Sequence, residues 1–156
     1  MIHFMDEEEK KEDPFFAYLA FQAIHIPVQA PPEFTEKYID IYEKGWDVIK
    51  QRRFERAKEL GLIPESVEMG KMPEGLKNWD DLDDEQKKLN AKAMAVNAGM
   101  LDAMDHHIGR YVDYLKANGK YDNTIFIITS DNGPEASSVG DVKSMQLWMK
   151  YVGYHR

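Results

Sequence analysis

The sequence predicts an α/β fold in which a partial parallel sheet is flanked by helices and interrupted by a helical insert. Three observations carry this. Phe15 to Phe21 is a short, almost wholly apolar run, as a strand buried on both faces reads. Thr124 to Thr129 is a β-branched run of high strand propensity. Between them lies a long stretch with helical periodicity, and a helix delivered to a buried strand suggests parallel strands joined by right-handed crossovers.

The elements follow in order along the 156 residues. Ile2, Phe4 and Met5, ahead of the run Asp6 to Asp13, resemble the last turns of a helix leading into a strand. A strand and a loop are expected over 14–31, where Pro27, Pro31 and Pro32 forbid helix and favour extended backbone. Residues 32–80 read as a helical and irregular insert. Its helical part runs from Pro32 to Gly61 with a break near Gly45, ends at Leu60-Gly61, and is followed by an irregular stretch from Glu65 to Asn78.

The long helix is expected over 83–118. Asp83 or Asp84 caps its start, Gly119 ends it, and Leu89, Ala93, Val96, Met100, Met104, Ile108, Tyr111 and Leu115 form its apolar stripe. Met94 falls beside that stripe and packing accounts for it. A strand and a loop complete the reading over 124–133. Leu147 to Val152 is apolar and aromatic to the end of the sequence, so both ends look cut from something larger.

Composition narrows the function. With 43% apolar and 31% charged residues the chain reads as globular. A net charge of −8 argues against a nucleic-acid partner, because phosphates need cations to neutralise them. No apolar run reaches the roughly 18 residues of a membrane span, and the N-terminus lacks the order of a signal peptide. The absence of cysteine removes disulfides, thiolate metal sites and a cysteine nucleophile from this stretch.

Two loops carry possible chemistry, and both directly follow an expected strand, where ligands of α/β sheets collect. Asp131 and Asn132 offer hard oxygen ligands of the kind calcium or magnesium prefers, with Gly133 permitting a tight turn. The same tripeptide is also ordinary turn chemistry, and a complete site needs about six oxygens or more. His25, in the proline-rich loop, could donate a proton or a hydrogen bond to an anionic substrate, or it could be a surface histidine. His106 and His107 are neighbours on the long helix, about 100° apart around its axis, and read as surface or boundary residues. The basic cluster from Lys50 to Arg56 reads as a solvated helix face.

Taken together, these segments resemble the type I sulfatases, the arylsulfatase branch of the alkaline-phosphatase-like superfamily. Pro14-Phe-Phe-Ala-Tyr-Leu-Ala-Phe21 followed by Ala23-Ile-His25-Ile-Pro27 is similar to the family's strand and histidine loop. The helix from Met104 to Lys116, then Asn118-Gly119, Asp122-Asn-Thr124 and Ser130-Asp131-Asn132-Gly133, is similar to its helix, strand and metal loop. The charged insert from Glu33 to Gln86 also resembles the bacterial arylsulfatases.

The resemblance implies an alkaline-phosphatase-like α/β fold and hydrolysis of a sulfate ester. It implies a calcium ion, with magnesium as the other candidate, held in part by Asp131 and Asn132. It places His25 against the sulfate or the departing oxygen. The family's nucleophile is a formylglycine made from the cysteine or serine of a Cys/Ser-x-Pro-x-Arg motif. Here no cysteine exists, and neither Ser66, Ser130, Ser137, Ser138 nor Ser144 is followed by that proline and arginine. The paired N-terminal aspartates of the metal site have no candidate, and Lys143 has no context that matches a family lysine.

The chain is therefore expected to be an internal fragment, inactive alone, whose partners are a sulfate-ester substrate and the remainder of the sulfatase domain. The alternatives are a non-catalytic sulfatase-like binding or assembly module, and a phosphatase or phosphonate hydrolase of the same superfamily. The family is often periplasmic or secreted, and the sequence itself does not name a compartment.

Overall fold

The computed structural model describes residues 1–7, 13–133 and 151. The chain divides into two units, Met1–Asp122 and Asn123–Arg156. Among its described residues the first holds α1 (Ile2–Asp6), α2 (Pro32–Tyr42), α3 (Trp46–Glu59) and α4 (Asp84–Ala117). A 3₁₀ turn at Trp79–Asp81 precedes α4, and another at Tyr121–Asn123 lies where the units meet in sequence.

Helix boundaries follow the local chemistry. Pro32 stands at the first position of α2, where its missing N–H is not needed. The break before α3 is Gly45, whose φ of 86° suits a residue without Cβ. Beyond α3, Gly61 takes a φ of 68°. Helix α4 opens with a reciprocal capping box: the Gln86 N–H donates to Asp83 Oδ1 at 2.8 Å, and the Asp83 N–H donates back to the Gln86 side chain. It ends at Asn118, followed by Gly119 with φ 65°.

The core sits where α2 lies along α4. Tyr42, Ile49, Trp79, Leu82, Ala91 and Ala95 form one buried cluster, with Tyr38, Ile39, Trp46 and Met94 packed around it. Trp46 and Trp79 meet edge-to-face, with ring centroids 4.9 Å apart and planes at 82°. That arrangement sets the positive edge of one ring on the negative face of the other and adds about 0.5–1.5 kcal/mol beyond area burial. Arg53 donates to the Tyr42 hydroxyl at 2.8 Å, so the buried ring keeps its polar tip satisfied.

Gly99 admits the closest approach of the two helices. A Cβ there would stand 2.7 Å from Thr35 Oγ1 and 3.1 Å from the Phe34 carbonyl oxygen. Lys37 on α2 pairs with Asp102 on α4 at 2.5 Å, next to that crossing. The hydrogen bond to Asp102 raises the Lys37 pKa against the opposing desolvation. Near the other end of α4, the Tyr111 hydroxyl donates to Met5 Sδ and the Tyr114 hydroxyl donates to Asp6 Oδ1 at 2.8 Å, which ties α1 to the helix. Burial raises the Tyr111 pKa, and the bond to Asp6 is the main cause of the rise at Tyr114.

The expected sheet is corrected by the structure: among the described residues there is no strand. Neither 14–22 nor 124–130 joins a ladder, and their side chains stand largely in water, with Phe16 92% and Ile128 88% exposed. The physical reason is that an apolar run becomes a strand only when a neighbouring backbone pairs with it. Hydrophobicity along the run reports a tendency to be buried and says nothing of whether that neighbour is present. The expected apolar segment from Leu147 to Val152 lies outside the described residues except for Tyr151, which is helical. Lys143, Ser137, Ser138 and Ser144 also lie outside them, as do residues 8–12 of the acidic run.

The apolar stripe of α4 needs a second correction. From Met100 onward it holds, with Met100, Tyr111 and Leu115 buried. In the first half, Leu89 is 60% exposed and the buried face is instead Ala91, Ala95 and Gly99. Close helix packing selects small side chains on the contact face, and a pattern read from large ones is rotated away from it.

Two glycines of α4 give an opposite pair of expectations. A Cβ at Gly109 meets nothing within 4 Å, so Gly109→Ala stabilises by about 0.5–1 kcal/mol through helix propensity. Gly99→Ala forces the crossing apart and destabilises by roughly 1–3 kcal/mol. Thermal melts of the two variants should shift in opposite directions, and a shared direction would mean that α2 does not press on Gly99.

Candidate functional site

The histidine loop is shaped by its own hydrogen bonds. The His25 backbone N–H donates to the Gln22 carbonyl at 2.8 Å and closes a turn around Ala23 and Ile24. The ring Nδ1 lies 3.0 Å from the Ile26 carbonyl oxygen. The peptide bonds Ala23–Ile24 and Ile26–Pro27 are cis. His25 is exposed, with its ring turned along the loop rather than into the helical core.

The acidic loop of the second unit is likewise local in its wiring. Thr129 Oγ1 donates to the Ser130 carbonyl, and Ser130 Oγ donates to the Asn132 carbonyl at 2.7 Å. Asp131 Oδ1 accepts from the Asn132 N–H at 3.0 Å. The Asn132 side-chain amide donates to the Gly133 carbonyl at 2.7 Å, which leaves its Oδ1 as an acceptor on the other side of the amide. Residues 130–133 are all exposed.

His25 thus belongs to the first unit and Asp131 and Asn132 to the second, and their grouping in one site rests on the sequence. The oxygen atoms of Asp131 and Asn132 suit a hard cation in kind but fall short in number. Among the described residues, no three His, Cys, Asp or Glu side chains come close enough to hold a metal by themselves. These two residues can therefore supply only part of a coordination shell.

The helix histidines are both exposed, in keeping with surface or boundary residues. The His106 ring lies 5.5 Å from that of Phe34 on α2, and Arg110 reaches His107 Nδ1 at 3.1 Å. Sequence reasoning missed how the Gln22 carbonyl and the Ser130 hydroxyl shape the two loops. Ser130 carried a signal as a turn-forming hydroxyl directly ahead of Asp131, whereas Gln22 acts through its backbone carbonyl, which residue type does not reveal. The basic cluster does face water, with Arg56 paired to Glu59 at 2.9 Å and Lys50 donating to the Gly70 carbonyl.

Comparison with known proteins decides the family. The sulfatase family profile, described simply as Sulfatase, matches residues 1–154. The chain belongs to the sulfatase family. It is 45% identical over 132 residues to an uncharacterized sulfatase of Schizosaccharomyces pombe, covering 84% of this chain and 24% of that protein. It is 40% identical over 123 residues to an arylsulfatase of Klebsiella aerogenes, covering 79% of this chain and 26% of that one. An arylsulfatase of Clostridium perfringens matches at 28% identity over 92% of this chain and 26% of its own length. The chain thus spans about a quarter of the length of the curated sulfatases it matches. Among the described residues, no helix is long and apolar enough to cross a membrane.

If His25 and Asp131 serve chemistry rather than folding, removing them should cost the fold almost nothing. His25→Ala and Asp131→Ala should each leave stability within about 0.5 kcal/mol, as exposed substitutions do. Superimposable thermal melts check this, and a loss above roughly 1 kcal/mol would assign the residue a structural role.

Proposed function

We propose that this chain is part of a sulfuric ester hydrolase of the arylsulfatase type, contributing His25, Asp131 and Asn132 to its site. The observation that carries the reading is the match to the sulfatase family across residues 1–154, together with 40% identity to an arylsulfatase. The loop chemistry supports it. An exposed imidazole on a turn and a carboxylate–amide pair presenting oxygens are what an anionic ester and a hard cation require.

In this reading Asp131 and Asn132 hold calcium, or magnesium, through Asp131 carboxylate oxygen and Asn132 Oδ1, and other parts of the domain complete the shell. The ion would neutralise charge on the sulfate oxygens, and a formylglycine hydrate carried elsewhere would provide the nucleophile. His25 would meet the sulfate or the departing oxygen and hold a proton there, work that contributes about 10²–10⁴-fold in positioned general acids. The sequence contains neither a cysteine nor a serine followed by the proline and arginine of the formylglycine motif. The 156 residues alone therefore carry no nucleophile for the reaction.

The exposed apolar side chains fit the same picture. Phe16, Tyr18, Ile125, Ile127 and Ile128 are each more than three-quarters exposed, and an isolated protein rarely leaves so many large apolar groups in water. The remainder of a sulfatase domain is the partner that would cover them.

The test is a chimera in which this chain replaces the matching quarter of the Klebsiella aerogenes arylsulfatase. Metal-dependent turnover of an aryl sulfate is expected from the chimera, falling by on the order of a hundredfold or more in its His25→Ala form. The unfused chain should show no turnover. A folded chimera without activity, or one indifferent to His25, would refute the proposal.

A further inference from the structure

The hydrogen bond inside the histidine loop bears on which nitrogen of His25 is free to act. Nδ1 lies 3.0 Å from the Ile26 carbonyl oxygen. A carbonyl oxygen can only accept, so Nδ1 must carry the hydrogen of that bond. A neutral imidazole has one N–H, and its place is set by the bond the other nitrogen makes. Pro27 restrains the backbone immediately beyond the acceptor, because its ring fixes φ. The turn closed by the Gln22 carbonyl and the His25 N–H restrains it on the near side.

We infer that neutral His25 holds its proton on Nδ1, pinned to the Ile26 carbonyl, and presents Nε2 as the nitrogen that meets a ligand. The Ile26 carbonyl is thereby a positioning group: it touches no substrate and acts by fixing the tautomer and the ring plane. Only the use of Nε2 rests on the proposed sulfatase function, with that atom facing the sulfate ester. The place of the proton follows from the loop alone.

The molecule contains its own contrast. At His107 the partner of Nδ1 is the Arg110 guanidinium, 3.1 Å away, which has donors and no acceptor. There Nδ1 must accept, and the neutral ring carries its proton on Nε2. The two histidines are therefore assigned opposite tautomers by two hydrogen bonds of opposite sense.

Nitrogen-15 NMR of the histidine-labelled chain in alkaline buffer reads this directly. Signals are assigned by their disappearance in His25→Gln and His107→Gln. The expected spectrum shows a protonated Nδ1 and an unprotonated Nε2 for His25, with the reverse for His107. A His25 ring protonated on Nε2, or averaging between tautomers, would overturn the inference whatever the chimera shows. Inactivity of the chimera alongside the expected spectrum would remove the proposed function and leave the tautomer assignment standing.

Discussion

Helix α2 can lie against α4 only because α4 offers Ala91, Ala95 and Gly99 on the facing side. At Gly99 the space left for a side chain is already taken by Thr35 and the Phe34 carbonyl. Much of the first unit depends on that contact. It buries Thr35 and Tyr42, and it brings Lys37 to Asp102. Gly45 then opens α3 against Trp79, whose ring leaves no room for a Cβ: one built there would collide with Trp79 Cγ. Small residues at two places thus allow large aromatics to close the core.

The groups proposed for chemistry lie outside this packing. His25 precedes α2, Asp131 and Asn132 follow α4, and all three are exposed. Their conformations are fixed by short-range bonds: Gln22 to His25, His25 to Ile26, Ser130 to Asn132 and Asn132 to Gly133. Such bonds set the direction of a donor or an acceptor without a core behind it. They do not by themselves bring separate loops together, which is a task for packing. The large exposed apolar groups beside both loops, Phe16 and Ile127 among them, are the material from which such packing would be made.

Signals decided within a few residues are legible in the sequence. The Asp83 cap, the glycine after the long helix, the break at Gly45 and the end of α3 all lie where residue chemistry puts them, because capping and positive φ are decided within a few residues. Signals that depend on partners are not. Over the first half of α4, Leu89 is more hydrophobic than Ala91, yet Leu89 stands 60% exposed while Ala91 is buried. The runs at 15–21 and 124–129 have the composition of strands, yet pairing is a property of two segments, and neither run is a strand in the structure. For the site, family resemblance pointed to His25, Asp131 and Asn132, whose residue types alone are those of common turns.

In the proposed function Asp131 and Asn132 belong to a sulfatase site and would complete a metal shell only with further ligands. Calcium titration of the purified chain by calorimetry, with Asp131→Ala as the control, tests it most directly. No tight saturable binding is expected, because two side chains cannot replace the roughly six oxygens of a calcium shell. Tight binding to the chain that disappears in Asp131→Ala would contradict it and would mean that the remaining ligands lie within this sequence.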